Sequence, residues 1–255
     1  MDLELVGRRA VVTGGSRGIG LAVARVLATE GASVALVARG AQALNEAASA
    51  LSAVAVAADA GASVAGAERA PRVIPVPADT GSDESVAAMV ARVVDELGGV
   101  DILVNAAATP NRGGFGEEAL EAEINVKVRG YLRCARAVAP LMAASGWGRI
   151  VNVSGLAARQ TGSIVGSVRN VAVAALTKNL ADELGPSGIN VTVVHPGPTI
   201  TEHTPPVGPE AVSIGRLVTA AEVADVIAFL CSPRSVAING DAIAVGGGAR
   251  GAIHY

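Results

Sequence analysis

Aromatic residues are nearly absent from this sequence, since Phe, Trp and Tyr together make up 2% of its 255 residues. Such scarcity argues against an aromatic-lined substrate cavity and against a surface that stacks nucleic-acid bases. An excess of positive charge is also lacking, because 20 Lys and Arg residues stand against 23 Asp and Glu residues. With no basic stripe along the chain, we expect no nucleic-acid partner.

Cysteine is similarly scarce. Cys134 and Cys231 are too few for a disulfide framework, and such isolated cysteines are typical of small core residues in a reducing compartment. The sequence also lacks a signal-peptide pattern and an apolar run of membrane length. These absences predict a cytoplasmic protein that has no membrane partner.

Apolar residues, chiefly Ala, Val and Leu, make up 51% of the chain, which suffices for a large core. Short continuous apolar runs, typical of strands buried on both faces, alternate with helical patterns. These runs, with their exits, cover 10–12, 34–37, 73–76, 101–108, 148–155, 189–197 and 241–248. Strands that alternate with helices predict an α/β fold, a doubly wound parallel sheet of the Rossmann type, in a single domain over 1–255.

A glycine-rich turn follows the first of these runs. Thr13 ends the run, glycines occupy positions 14, 15, 18 and 20, and an apolar helical pattern begins at once with Leu21. Glycines let the backbone approach a ligand closely, and the free N–H groups and dipole of a helix N-terminus favour an anion. A strand, a glycine turn and a helix in this order therefore predict a pyrophosphate site.

The spacing of this turn, T-G-x-x-x-G-x-G, resembles the short-chain dehydrogenase/reductase family, and the resemblance extends from about Gly7 to Gly248. It implies a nicotinamide dinucleotide cofactor, a small-molecule substrate and a homo-oligomer, as a tetramer. The candidate cofactor-binding residues are Gly14, Ser16, Arg17, Gly18, Ile19, Gly20, Arg39, Asp79, Thr80, Asn105, Ala106, Ala107, Pro196, Gly197, Thr199 and Thr201.

An Ala-rich segment over 40–71 is longer than the family usually has at this place. Its first half continues the helical pattern after Arg39, and the remainder is typical of a surface loop without chemistry.

The choice between the two nicotinamide cofactors depends on charge beside the adenosine ribose. An acidic side chain there accepts hydrogen bonds from a 2′-hydroxyl group, whereas arginine suits a 2′-phosphate. This sequence has Arg39 at the end of the second run, Arg17 in the glycine turn and no competing carboxylate. The residues favour NADP(H) over NAD(H); the alternative is that both arginines are solvated surface residues.

The catalytic positions of the family are where the resemblance fails. The family uses a tyrosine, a lysine four residues later, a serine and an asparagine. Neither Tyr131 nor Tyr255 stands four residues before a lysine. The match over 175–197 aligns Gly166 with the family's tyrosine and Asn170 with its lysine.

The other two positions are also occupied by unexpected residues. Gly155 aligns with the serine, and Ser154 precedes it. The asparagine aligns with Lys127 without a gap, or with Asn125 if two residues are inserted within a helix; we favour Lys127. Asparagine and lysine have then exchanged places, and the two glycines leave space that the lysine ammonium group would occupy.

Lys127, Ser154, Asn170 and His203 are therefore the candidate catalytic residues. A partly buried lysine has a lowered pKa and can act as an acid, a base or a nucleophile; alternatively, Lys127 points to solvent or pairs with Glu123. His203, in a proline-rich rim, is a candidate for substrate contact, whereas His195 is more typical of a packed strand histidine. Arg159 and Arg169 are either ligands for an acidic substrate group or solvated residues.

Three functions remain open at this point. The first is an NADP(H)-dependent oxidoreductase that works without the tyrosine, on a substrate that needs little protonation or with a proton from Lys127. The second is a non-redox lyase, isomerase or dehydratase on the same scaffold. The third is a catalytically silent dinucleotide-binding protein, because the fold alone does not distinguish these functions.

Overall fold

The fold is built around one parallel sheet. The computed structural model describes residues 1–61, 71–108, 116–202 and 207–250, with the backbone alone for 56–61. The strands in these ranges are β1 (Arg9–Thr13), β2 (Ser33–Ala38), β3 (Val73–Pro77), β4 (Ile102–Asn105), β5 (Gly148–Val153), β6 (Ile189–Pro196), β7 (Thr199–Ile200), β8 (Val218–Thr219) and β9 (Ala242–Val245).

The α-helices of the described ranges cover both faces of this sheet. They are α1 (Gly18–Thr29), α2 (Ala41–Gly61), α3 (Asp83–Leu97), α4 (Glu117–Glu123), α5 (Gly130–Ser145), α6 (Ile164–Leu184) and α7 (Ala220–Leu230). Short 3-10 turns lie at Leu156–Arg159, Gly185–Ser187, Pro209–Ala211 and Pro233–Ser235. A π-helical turn, Ile124–Arg129, joins α4 to α5 and is called the π turn below.

The main sheet has the strand order β3-β2-β1-β4-β5-β6-β9, and every neighbouring pair in it is parallel. The chain moves outward from β1 to β3 and then returns to β4 on the other side of β1. Ligands of open α/β sheets bind where the strand order reverses, at the carboxyl ends of the strands. The predicted doubly wound parallel sheet is confirmed, and its reversal point lies between β1 and β4.

The core consists of two apolar layers, one on each face of the sheet. Along β1, Ala10 and Val12 pack into the layer that contains α1, α2 and α7, whereas Val11 packs into the layer of α3, α5 and α6. Successive side chains of a strand point to opposite faces. Because both faces are covered, each strand is a continuous apolar run rather than an alternating one.

The helix ends follow local sequence signals where those signals are strong. Ser82 caps α3 by accepting a hydrogen bond from the Ser85 N–H group, and Gly98 ends that helix with φ of 85°. At α7, Thr219 and Glu222 form a capping box with each other's backbone N–H groups.

The helical segment from Glu117 to Ser145 is interrupted by the π turn, in which the helix accommodates one extra residue. In the Ala-rich segment, α2 confirms the predicted helix, and the predicted loop falls largely on 62–70, outside the described residues.

Both cysteines are core residues. The thiols of Cys134 and Cys231 are free and buried, and burial raises the pKa of each to about 12. Among the described helices, none combines the length and the apolar character that a membrane span requires.

Candidate functional site

The glycine turn after β1 has a backbone that only glycine allows. Gly14 has φ of 68°, and a Cβ atom there would lie 2.7 Å from the carbonyl oxygen of Ala106. A Cβ atom on Gly20 would overlap the carbonyl oxygen of Gly14. The turn is therefore pressed against the exit of β4 on one side and against the first turn of α1 on the other. At the helix N-terminus that follows this turn, free backbone N–H groups suit an anion.

The N-terminus of α1 already attracts a carboxylate. Arg17 precedes the helix without capping it, and the first turn of α1, all of it in the described part of the chain, has no acidic residue. The carboxylate of Glu202, which follows β7, accepts a hydrogen bond of 3.4 Å from the Gly18 N–H group. An anion from a distant part of the chain thus lies where the helix dipole favours one. Sequence reasoning missed Glu202, because no local pattern places it there.

Hydrogen bonds fix the end of β4 between its neighbours. The hydroxyl oxygen of Thr13 accepts from the N–H groups of Ala106 and Ala107, at 3.2 and 3.3 Å. The amide of Asn105 donates to the side-chain oxygen of Asn152 on β5 at 3.0 Å. These hydrogen bonds therefore hold the backbone after β4 in place beside the glycine turn.

The candidate residues for the adenosine end of a cofactor lie at the ends of β2 and β3. Arg17 and Arg39 are exposed, and neither pairs with a carboxylate among the described residues. Asp79 accepts a hydrogen bond of 2.9 Å from the Gly81 N–H group and so closes the turn after β3, beside buried Thr80. Both guanidinium groups are therefore exposed to solvent.

The rim after β6 is compact. Pro196 pairs in register with Val245, and the hydroxyl of Thr199 donates to the carbonyl oxygen of Gly197 at 2.8 Å. A Cβ atom on Gly197 would lie 2.9 Å from the Cα atom of Gly246, so the two backbones touch. His195 is buried in β6, in keeping with a packed strand histidine.

The structure brings together three of the four candidate catalytic residues. The Nζ atom of Lys127 donates to the backbone carbonyl oxygen of Ser154 at 2.9 Å, and Lys127 is only 5% exposed. The hydroxyl of Ser154 donates to the backbone carbonyl oxygen of Asn170 at 3.1 Å. The fourth candidate, His203, lies outside the described residues.

Lys127 and Asn125 both lie in the π turn, but their side chains point in different directions. Lys127 points toward the end of β5, whereas the amide of Asn125 donates to the carbonyl oxygen of Gly81, after β3, at 3.4 Å. The two side chains therefore contact different elements, and the preference for Lys127 at the family's asparagine position stays a prediction. Interruptions of this type are frequent at functional sites in helices.

Two charged residues that are close in sequence to Lys127 and Asn170 pair with each other. Arg169 on α6 forms a buried ion pair with Glu123, the last residue of α4. The sequence left Arg169 as a substrate ligand or a solvated residue, and the structure shows neither. Arg159 is half-buried, and its guanidinium group donates to the carbonyl oxygen of Ala242 at 2.8 Å.

Burial and neighbouring charges together lower the pKa of the Lys127 amine to about 7. Burial is the largest cause, the positive charge of Arg169 lowers the pKa as well, and the negative charge of Glu123 opposes both. Tyr131 behaves differently, because burial raises the pKa of its phenol above the ordinary value. Its hydroxyl is within hydrogen-bond distance of the carbonyl oxygens of Ala107 and Val153, so it joins strand exits rather than offering an acid.

The Cβ positions of the two glycines have close polar neighbours. A Cβ atom on Gly155 would lie 3.1 Å from the amide nitrogen of Asn170, and one on Gly166 would lie 3.0 Å from the hydroxyl of Ser163. The larger space predicted for the lysine ammonium group stays a prediction. Asn170 is only 2% exposed, and its side-chain oxygen has no hydrogen-bond partner in the described part of the chain.

A comparison with protein families agrees with this arrangement. The family model for the short chain dehydrogenase matches residues 8–211, most of the chain. The chain belongs to the short-chain dehydrogenase/reductase family. The short-chain reductase protein NovJ of Streptomyces niveus is 33% identical to it, and the match covers 94% of this chain and 92% of NovJ.

Solved structures of the family superpose on nearly the whole chain. L-Sorbose reductase from Gluconobacter frateurii, complexed with NADPH and L-sorbose, is 31% identical with a TM-score of 0.87, covering 99% of this chain and 100% of its own. A short chain dehydrogenase from Burkholderia cenocepacia, in complex with NADP, is 34% identical with a TM-score of 0.81, covering 96% and 98%. This chain thus shares its fold, over 96–99% of its length, with solved family members that were crystallised with NADPH or NADP.

Proposed function

We propose that this protein is an NADP(H)-dependent oxidoreductase whose active site is non-standard, with Lys127 as its polar centre. The observation that carries the proposal is the buried Lys127 amine on the Ser154 carbonyl oxygen, beside the strand ends where the candidate cofactor residues converge. The substrate is a small molecule.

The residues at these strand ends fit a dinucleotide. The glycine turn admits no Cβ atom at Gly14 or Gly20, and the Gly18 N–H group already holds a carboxylate oxygen. A pyrophosphate offers the same kind of oxygen with more charge, so the donors suit it. We assign the pyrophosphate to residues 14–20, including Ser16 and Ile19. We assign the adenine end to Asp79 and Thr80, and the nicotinamide half to residues 105–107 and 196–201.

The preference for NADP(H) follows from the two exposed arginines. Arg17 and Arg39 have no carboxylate partner among the described residues, so both guanidinium groups are available to a 2′-phosphate. Arginine recognises phosphate through paired, charge-assisted hydrogen bonds. The structures of L-sorbose reductase with NADPH and of the Burkholderia relative with NADP support this choice.

The chemistry of the site is divided between the cofactor and Lys127. When bound, the nicotinamide supplies or accepts a hydride. An amine whose pKa lies near 7 holds a proton in one half of its molecules at neutral pH and releases it readily, which general acid catalysis requires. The backbone carbonyl oxygen of Ser154 orients this amine, and the hydroxyl of Ser154 in turn donates to the backbone carbonyl oxygen of Asn170. Substrates that need little protonation, such as imines or polarised alkenes, suit the site best.

Assembly and location are part of the same proposal. Ile164, Val168 and Val171 form an exposed apolar stripe on α6, at helical spacing, and this stripe supports packing of a homotetramer. Two free, buried thiols support a reducing, cytoplasmic location.

The test is turnover of NADPH with a panel of ketones, imines and activated alkenes, followed by absorbance. We expect oxidation of NADPH with the imines or alkenes and weak or no turnover of unactivated ketones, because tuned acid catalysis by a tyrosine normally contributes about 10²–10⁴-fold. Tight NADPH binding without any turnover would overturn the oxidoreductase assignment in favour of a non-redox or silent protein. Rapid reduction of simple ketones would contradict the non-standard site.

A further inference from the structure

An ion pair joins the two helices that flank the candidate active site. The guanidinium group of Arg169 on α6 donates to the carboxylate of Glu123 at the end of α4, and their side chains are 14% and 6% exposed. Glu123 lies one helical turn before Lys127, and Arg169 directly precedes Asn170. Each member of the ion pair is therefore close in sequence to one candidate catalytic residue.

We propose that Glu123 and Arg169 are positioning residues for Lys127: the pair holds the π turn against α6 and sets the charge around the amine. The inference deepens the proposed function and rests on it only in taking Lys127 as the polar centre of the site. Because each member of the pair is committed to the other, neither is assigned a contact with substrate.

The groups that act on Lys127 come from three places in the fold. The Glu123 carboxylate lies on α4 and the Arg169 guanidinium lies on α6. At the end of β5, the carbonyl oxygen of Ser154 accepts from the amine itself. Among the described residues, Glu123 and Arg169 are the charged groups that act on Lys127.

These two charges act on the amine in opposite directions. After burial, Arg169 is the larger influence and lowers the pKa of Lys127, while Glu123 raises it. Loss of Glu123 should therefore push Lys127 toward its neutral form, and loss of Arg169 should push it toward its charged form. If the ion pair only held α4 against α6, the result would differ. The loss of Glu123 or of Arg169 would then loosen the site and return the pKa of Lys127 toward its ordinary value near 10.5.

The test is an NMR titration of the cofactor-free protein. Lys127 and Lys178 are the two lysines of the chain, so lysine labelled with ¹³C at Cε gives two signals, which a Lys178→Arg variant assigns. Lys178 is an exposed internal reference, paired with Asp182 on the outer surface of α6. The pKa of Lys127 is then measured in the wild type, Glu123→Gln, Arg169→Gln and the charge-conserving Arg169→Lys, whose added third signal is assigned by combining Arg169→Lys with Lys127→Met.

We expect the pKa of Lys127 to fall in Glu123→Gln and to rise in Arg169→Gln, each by about one pH unit or more. Arg169→Lys should restore a value near that of the wild type, and Lys178 should not move in any variant. Shifts of Lys127 in the same direction in both Gln variants, or no shift in either, would overturn the proposal.

A double variant covers the case in which a single Gln variant does not fold. Glu123→Gln with Arg169→Gln leaves no lone buried charge, and the pKa of Lys127 should lie above that of Glu123→Gln and below that of Arg169→Gln, whichever of them folds. Amide hydrogen exchange should also become faster across Ile124–Arg129. A pKa of the double variant outside this order, or unchanged exchange, would overturn the proposal. The titration needs no cofactor or turnover, so its result can be interpreted even if the oxidoreductase assignment fails.

Discussion

The Nζ atom of Lys127 lies 2.9 Å from the backbone carbonyl oxygen of Ser154, and this bond joins the π turn to the carboxyl end of β5. The bond gives a buried amine a fixed acceptor without neutralising its charge. Burying an amine in this way favours the uncharged form. The site therefore contains a group that exchanges a proton near neutral pH, although the phenol of Tyr131 is held among backbone carbonyl oxygens.

The pH dependence of stability should report this amine. The pKa of Lys127 is about 7 in the folded protein and near 10.5 when the chain is unfolded. Between these values the unfolded state binds a proton that the folded state has released, so stability rises with pH. Relative to Lys127→Met, the free energy of unfolding of the wild type should increase by about 1.4 kcal/mol per pH unit from pH 7 to pH 10.

Urea denaturation of both proteins at each pH measures this difference and cancels the contribution of the cysteines. A difference between wild type and Lys127→Met that stays constant from pH 7 to pH 10 would contradict a buried, neutral amine.

Arg39→Ala should weaken NADPH binding and leave NADH binding unchanged, because the exposed guanidinium group is assigned to the 2′-phosphate alone. The loss of one charge-assisted contact of about 1.5–3 kcal/mol corresponds to a decrease in affinity of about ten-fold or more. Titration of the intrinsic fluorescence of both reduced cofactors measures it. Arg25→Ala removes an exposed arginine of α1 and serves as the control. Equal losses for both cofactors would refute the assignment.

Glu202→Gln should tighten cofactor binding. The Glu202 carboxylate accepts from the Gly18 N–H group, where the pyrophosphate is assigned, and must leave when the cofactor binds. A charge at a helix N-terminus contributes about 0.3–1 kcal/mol, so the affinity for ADP or NADPH should increase by about two- to five-fold. Calorimetric titration of the variant, with exposed Glu210→Gln as the control, decides the matter. Weaker binding by Glu202→Gln would show that the carboxylate supports the site instead.

Gly14→Ala should destabilise the protein by about 1–3 kcal/mol and abolish tight cofactor binding. The backbone at Gly14 has φ of 68°, and a Cβ atom would lie 2.7 Å from the Ala106 carbonyl oxygen. Gly40→Ala is the matched control, since a Cβ atom there meets nothing within 4 Å. Thermal melts and NADPH titrations of both variants provide the comparison. If Gly14→Ala behaved like Gly40→Ala, the turn would not have the shape described.

Most of the fold was predictable from the sequence because its signals are local and repeated. Strands buried on both faces are continuous apolar runs, and Ser82 and Gly98 mark the ends of α3 by their own chemistry. The glycine turn was equally clear, since Gly14 and Gly20 are required by backbone contacts that no other residue tolerates.

The candidate site was only partly predictable, because its details depend on packing between distant segments. The π turn adds one residue to a helix without a sequence signal, so the different contacts of Lys127 and Asn125 within it could not be predicted. The amide nitrogen of Asn170 lies 3.1 Å from the position that a Cβ atom on Gly155 would take, a contact that no local pattern indicates. The contact of Glu202 with Gly18 spans 184 positions, and no local pattern indicates it.

The most direct test of Lys127 as the polar centre of an oxidoreductase is the pH–rate profile of NADPH oxidation, for wild type and Lys127→Met, with the best acceptor of the panel. We expect wild-type kcat to depend on one group with a pKa near 7, since the amine supplies the proton. Lys127→Met should bind NADPH yet lose about 10²-fold or more in kcat, with no titration near pH 7. Turnover by Lys127→Met at the wild-type rate, with the same pH profile, would contradict the account.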